Sequence, residues 1–154
     1  MTYSSSIEIK KRSEHPWHTD PAAPFVGCFC VHKRYSYVCV VVGWDPVCKM
    51  SREWQKQMGV AELERGAHQP FHSVRAVDGS SRYAAFESLK VCCPSRVQMK
   101  QIQQKHPNIS RYFTKFDAVR NAFGLNEPMK ARYPDDGDLH AHAVHAGATA
   151  EGSD

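Results

Sequence analysis

The sequence has no long apolar run. No stretch approaches the ~20 consecutive apolar residues that a bilayer-spanning helix needs, and residues 1–13 lack the apolar core of a secretory signal peptide. The expected compartment is therefore the cytoplasm or the nucleus. Also missing are internal repeats, a Gly-rich phosphate-cradling loop, an HExxH motif and a Ser-His-Asp arrangement. Asp45, Asp78 and Glu87 fall where turn or strand-end roles account for them. No enzyme is expected, and no catalytic residue is assigned.

Cysteine is present without a framework. Cys28 and Cys30 stand two apart in a strand-like run, so their side chains leave on the same face. Cys39 and Cys48 are isolated, and Cys92-Cys93 is an adjacent pair, a poor geometry for chelating one ion. No second Cys or His pair at zinc spacing follows. The thiols read as reduced, mostly buried small hydrophobes. His140, His142 and His145 alternate with alanines and could hold a metal weakly, but a solvated tail is the plainer account. No metal and no cofactor is expected.

Apolar residues make up 42% of the 154 residues and charged residues 23%, which fits one soluble domain with sizeable tails. The net charge of +4 hides an asymmetry. Up to Phe123 the balance is +8, and from Gly124 onward it is −4. A basic domain is compatible with an anionic partner, and scattered solvated lysines give the same count.

Residues 1–24 are polar, punctuated by Pro16, Pro21 and Pro24, and are expected to be a flexible leader. A first strand is expected over 25–32, with Gly27 as a bulge or close-approach point. A basic, aromatic turn over 32–37 leads into the run 37–44, nearly all β-branched, aromatic or Cys, which reads as a central strand buried on both faces. Asp45-Pro46 ends it. Ser51, Glu53 and Gly59 bracket a short helix whose Trp54 and Met58 form one apolar stripe, expected to lie over an open end of the sheet. Residues 71–77 and 82–86 form a hairpin around Asp78-Gly79-Ser80. Residues 95–105 carry a helical pattern that His106-Pro107 breaks, and Ile109, Tyr112, Phe113 and Phe116 predict a second short helix over 108–116. After Tyr133-Pro134 the chain turns Asp-, Gly-, Ala- and His-rich, and 136–154 is expected to be a disordered acidic tail. The sum is a mainly β fold: a small SH3-like β-barrel of about five strands over 25–135, with short helical insertions and a C-terminal helical extension. Such barrels bind on loops and edges.

Two blocks carry a family resemblance. Val26-Gly27 and Val31-His32, then Arg34-Tyr35, Tyr37, Val40 to Gly43 and Trp44-Asp45-Pro46 form the first. Gln69 to Phe71, Asp78-Gly79-Ser80 and Arg82 to Ala85 form the second. Together they resemble the YccV-like, or hemimethylated-DNA-binding, domain family, whose bacterial prototype is the small heat-shock protein HspQ. His106-Pro107, Arg111-Tyr112-Phe113, Phe116 and Arg132-Tyr133-Pro134 extend the likeness to the version at the C-terminus of an F-box-only protein subgroup. The resemblance implies an SH3-like barrel and one of two activities. One is binding of duplex DNA, with preference for hemimethylated sites in the prototype. The other is a protein–protein adaptor role in quality control, presenting clients to a protease or ubiquitin ligase. Residues 1–24 are too short for an F-box, so ligase recruitment in the F-box manner is not expected of this stretch.

The chain departs from the family where apolar residues are usual: Arg75 and Ala76 stand there, His72 replaces a typical Tyr, and Phe86 a polar residue. Either this strand is an edge with Arg75 turned outward, or its register has slipped by one; the edge is the favoured account. These departures also motivate a third possibility, a relative that keeps the fold alone.

The candidate binding surface is the turn His32, Lys33, Arg34 and Tyr35, with Tyr37 beside it, because Arg and Lys meet phosphates while Tyr stacks. The competing account has Tyr37 packed inward while Lys33 and Arg34 solvate the loop. Arg82 and Tyr83 join the same rim only if the two turns meet. Trp44, Asp45, Pro46, Asp78 and Gly79 are family-motif positions whose expected work is structural, as a core Trp and turn formers. Steep loss of affinity with salt marks phosphate binding and separates the DNA reading from an apolar client groove.

Overall fold

The β-branched and aromatic runs pair as strands in a computed structural model, which describes residues 8–141. The strands are β1 (Phe29–His32), β2 (Val38–Asp45), β3 (Phe71–Ala76), β4 (Ser81–Ala85), β5 (Leu89–Cys92), β6 (Phe113–Asp117) and β7 (Ala122–Leu125). The helices are α1 (Arg52–Gln57), α2 (Arg96–Lys105) and α3 (Glu127–Arg132), with 3-10 turns between. β1 to β5 form one antiparallel sheet in the order β4-β3-β2-β1-β5, and β6-β7 is a separate hairpin.

The sheet must curl. β4 and β5 occupy opposite edges, yet only the 3-10 turn Phe86–Ser88 joins them. Four links of chain reach at most about 14 Å, whereas five flat strands would hold their edges about 19 Å apart. A register slip in β2 between Val41 and Gly43 adds a local bend. The result is barrel-like but not closed: among the described residues no ladder joins β4 to β5.

β2 is buried on both faces, as its composition predicts. Inside the curl, Cys39 and Val41 pack with Cys28, Cys30, Val74, Leu89 and Val91. The Cys28 and Cys30 sulfurs lie 3.9 Å apart on one face, and all six cysteines are free thiols. Burial pushes the Cys92 thiol up to about 12 and raises Cys30 and Cys39 as well, which keeps them protonated and inert. On the outer face, Val40, Val42 and Trp44 pack against Ile102 of α2, Phe113 and Phe123 of the hairpin, and Met129 of α3. Gly27 seats that hairpin. Its φ is +101°, and a Cβ there would meet the Phe123 carbonyl oxygen at 2.6 Å. It donates to the Val41 carbonyl and accepts from the Phe123 amide, both at 2.9 Å.

Three expectations change. α2 forms within the predicted 95–105 stretch and begins on a Ser95 capping box with Gln98, but no second α-helix follows over 108–116. A 3-10 turn, Pro107–Arg111, leads instead into β6. The pairing of β6 with β7 slips between Phe113 and Phe116, which brings both rings onto Phe123 at 5.0 and 5.6 Å. That bulge places residues three apart on one face, the spacing of a helix. β3 is not an edge strand either: it lies between β2 and β4, and Arg75 points out from the sheet interior's far face to donate to the Tyr112 hydroxyl at 3.2 Å. The register irregularity sits on β2.

The third concerns the ends. Within the described part of the expected leader, Arg12 is 2% exposed. In the expected tail, Asp136 is fully buried. Asp136 Oδ2 accepts from the Val26 amide at 2.8 Å, Trp44 Nε1 at 3.2 Å and Arg12 Nη1 at 3.4 Å. Burial raises its pKa against the opposing pull of Arg12 and these donors. Arg120 Nε donates to the Leu139 carbonyl at 2.7 Å and straps the following residues to the barrel. The rest of the expected tail, 142–154, lies outside the described residues.

Candidate functional site

The β1–β2 turn folds around one histidine. His32 Nδ1 accepts from the Arg34 and Tyr35 amides, each at 3.1 Å, so the neutral ring carries its proton on Nε2. Ser36 takes a left-handed conformation, φ 61°, and its amide donates to the His32 carbonyl at 2.8 Å. This tight reversal stacks both Tyr35 and Tyr37 on the imidazole, with centroids 4.8 and 5.0 Å away. Burial, then the charges of Arg82 and Arg34, lower the His32 pKa.

The second turn meets the first. Asp78 accepts from the Ser80 amide and hydroxyl at 2.8 and 2.6 Å, and Gly79 supplies the positive φ of +96° that the reversal requires. These hydrogen bonds to Ser80 hold the Asp78 carboxyl below its ordinary range. Ser80 Oγ in turn accepts from Arg82 Nε at 2.9 Å, aiming the guanidinium over the Tyr37 ring at 4.6 Å. Arg34 lies 5.6 Å from the Tyr35 ring. The column Arg34, Tyr35, His32, Tyr37, Arg82 therefore stacks three rings with a guanidinium over the tyrosine at each end, a favourable cation–aromatic contact at both ends. Its inner end is committed: Tyr37 packs on the barrel interior, and Arg82 pairs with Asp78 at 3.6 Å. Its outer end, Lys33, Arg34 and Tyr35, is exposed.

Two hollows flank Tyr35. One of about 320 Å³ runs toward Phe71, Leu63 and Glu87. The other, of about 630 Å³, runs over Ser73, Arg75 and Arg82 to Lys49 and Met50. His32, Tyr35, Trp54, Met58 and Tyr83 belong to both, so the two form one groove with a saddle. α1, capped by Ser51 accepting from the Trp54 amide at 3.1 Å, supplies Trp54 and, just past its end, Met58. Tyr35 is 63% exposed, Met58 60% and Met50 39%, an apolar rim beside the cations.

Other singled-out residues are structural in their contacts. Tyr83 is held between Trp54 and Phe71, and its hydroxyl donates to Asp45 Oδ2 at 2.6 Å. Asp45 Oδ1 takes Lys10 at 2.9 Å, so this carboxylate ties β2 to β4 and to the N-terminal segment. Trp44 lies in the outer core beside Trp17 and Tyr133. Burial pushes Glu87 up, but donation from the Arg65 and Glu64 amides and from Gln69 outweighs it, and the pKa is lowered. The sequence reading missed Met50 and Lys49 as groove residues; an exposed Met ahead of an N-cap was the available signal. Among the described residues no three His, Cys, Asp or Glu side chains are grouped as for a metal ion, and His142 and His145 lie outside them. No helix among those residues is long and apolar enough to cross a membrane.

A small curled sheet with a groove walled by its turns is a barrel-like, mainly β architecture. The chain belongs to the YccV-like family: residues 25–120 match the family described as hemimethylated DNA-binding protein YccV like. It is also similar to F-box only protein 21 of Mus musculus, 42% identical over 130 residues, and to those of Pongo abelii and Homo sapiens, each 41% identical over 130 residues. The match takes in 84% of this chain but only 19% of each relative's length. No solved structure matches the chain significantly.

Proposed function

We infer that this domain is a non-enzymatic binding module that takes duplex DNA, nominally hemimethylated, against the turn His32 to Tyr35. The observation that carries this reading is the cation–aromatic column, which presents Arg34, Lys33 and an exposed Tyr35 ring together on a rigid turn. Cations supply sequence-independent phosphate affinity, and the ring supplies orientation. The family description supports the same ligand class. Either a nuclear or a cytoplasmic site of action is compatible with it. The test is fluorescence anisotropy of the full chain with matched unmethylated, hemimethylated and fully methylated duplexes at several salt concentrations. Tighter binding of the hemimethylated duplex at every salt, lost in Arg34→Ala and Tyr35→Ala, is expected. Weak binding that ignores methylation and vanishes with salt sinks the reading.

A second reading has its own observation. The exposed Tyr35, Met50 and Met58 line a groove floored by Trp54, a surface suited to an apolar peptide. The relatives' name, F-box only protein 21, supports an adaptor that presents protein clients to a ubiquitin ligase. Its expected signature is client binding that survives high salt and is lost in Met58→Asp.

A further inference from the structure

Beyond the groove lies a polar hollow of about 250 Å³, walled by Arg75 and Ser81 of the sheet and by Lys105, His106, Arg111 and Tyr112 of the segment after α2. Its three cations face no carboxylate in its walls. Arg75 is half-buried and has no acidic partner among the described residues. A charge withdrawn from water without a counter-charge is costly, so this cavity is electrostatically incomplete as it stands. It is also rigid. Arg75 Nη2 donates to the Tyr112 hydroxyl at 3.2 Å, with the guanidinium 5.7 Å from that ring. His106 Nε2 is fixed on the Ala76 carbonyl at 2.8 Å.

We propose that this hollow is an anion site for a phosphate group, and that its occupant is a backbone phosphate of the nucleic acid bound at the rim. Arg75 and Ser81 wall both this hollow and the 630 Å³ one, so a strand leaving Arg34 and Tyr35 continues past Arg82 to Arg75, Lys105 and Arg111 without crossing an acidic residue other than Asp45 and Asp78, both already paired. Fixed guanidinium groups suit phosphate oxygens, and each cation engaged adds to the counterions released. The occupant rests on the DNA reading; the anion site does not.

Two experiments on the full chain separate them. The first titrates inorganic phosphate against chloride at matched ionic strength and follows the amide resonances of residues 75, 106 and 112. Saturable phosphate-specific shifts there are expected, weakened about tenfold or more in Arg75→Gln and also in Lys105→Gln, an exposed substitution that leaves the fold intact. Shifts matched by chloride, or unchanged in both variants, overturn the anion site. The second measures duplex affinity against salt. Each of Arg75→Gln and Arg111→Gln is expected to lower the slope of log affinity against log salt by about 1, additively with Arg34→Ala. Phosphate shifts with an unchanged duplex slope overturn the nucleic-acid occupant. Phosphate shifts with no duplex binding by the native chain overturn the occupant and the DNA reading together, and leave the anion site standing.

Discussion

Two aromatic assemblies in this molecule use nearly the same residue types for opposite ends. In the outer core, Trp44 stands edge-on to Trp17 and beside Tyr133, with Arg12 5.0 Å over Trp17 and Asp136 at the centre. At the rim, Tyr35, His32 and Tyr37 stack between Arg34 and Arg82, with Asp78 at the periphery. The first spends its cation and carboxylate on each other, on a backbone amide and on an indole N–H, away from water. The second leaves both its cations and the Tyr35 ring facing solvent. What separates scaffold from surface is thus how far the charged groups of each cluster are turned to water, since composition alone would rank the two alike.

The sharpest way to break this comparison is to remove the central carboxylate. Asp136→Ala leaves the Arg12 charge buried and unpaired, and should cost about 3–5 kcal/mol in urea unfolding. Tyr35→Ala, at the other assembly, should stay within about 0.5 kcal/mol while abolishing ligand orientation. Equal losses would dissolve the distinction.

Acid should act next most strongly, through the histidines. His72, fully buried, is lowered to about 3 by desolvation and then by Arg12; desolvation also lowers His32. A folded pKa below the unfolded one means that the unfolded chain takes up the proton first. Stability is therefore full above the unfolded value of about 6.5 and falls as pH drops toward 3, by up to about 1.4 kcal/mol per pH unit per site. Asp136, with its raised pKa, works the other way below its own folded value. Unfolding at pH 7 and pH 5 should show a loss of about 2 kcal/mol in the native chain, and a smaller difference within His72→Phe.

Effects of similar or smaller size probe the rim's supports. Tyr83→Phe deletes a hydroxyl bond to a carboxylate and should cost about 1.5–3 kcal/mol in the same assay. Arg82→Gln removes an exposed ion pair and a cation over Tyr37, and about 1 kcal/mol or less is expected from a thermal melt.

Much of this was readable from the residues. The β-branched run into Trp44, the Asp-Gly turn and the Ser51 cap are local signals, and local signals report local structure. The turn His32 to Tyr35 was legible as a surface because basic and aromatic residues sit side by side there. Its meeting with Arg82 was only conditional, since it depends on the curl of the sheet. β6 was misread because a bulge counterfeits helical spacing at Phe113 and Phe116. Arg12 with Asp136, and Arg75 with Tyr112, join positions 124 and 37 residues apart, and no pattern along the chain encodes such meetings.

The Arg12–Asp136 contact also joins segments that lie on either side of the family-matched stretch. Recognisable family sequence stops at 120 and starts at 25. A fragment cut to those borders would strip the acceptor from the Trp44 indole and from the Val26 amide, and would discard α3, whose Arg132 carbonyl receives the Lys10 amide at 2.7 Å. The segments around residues 10–12 and 132–136 meet as a clasp, so protection from hydrogen exchange at Val26 and Trp44 should fall together when either is cut away.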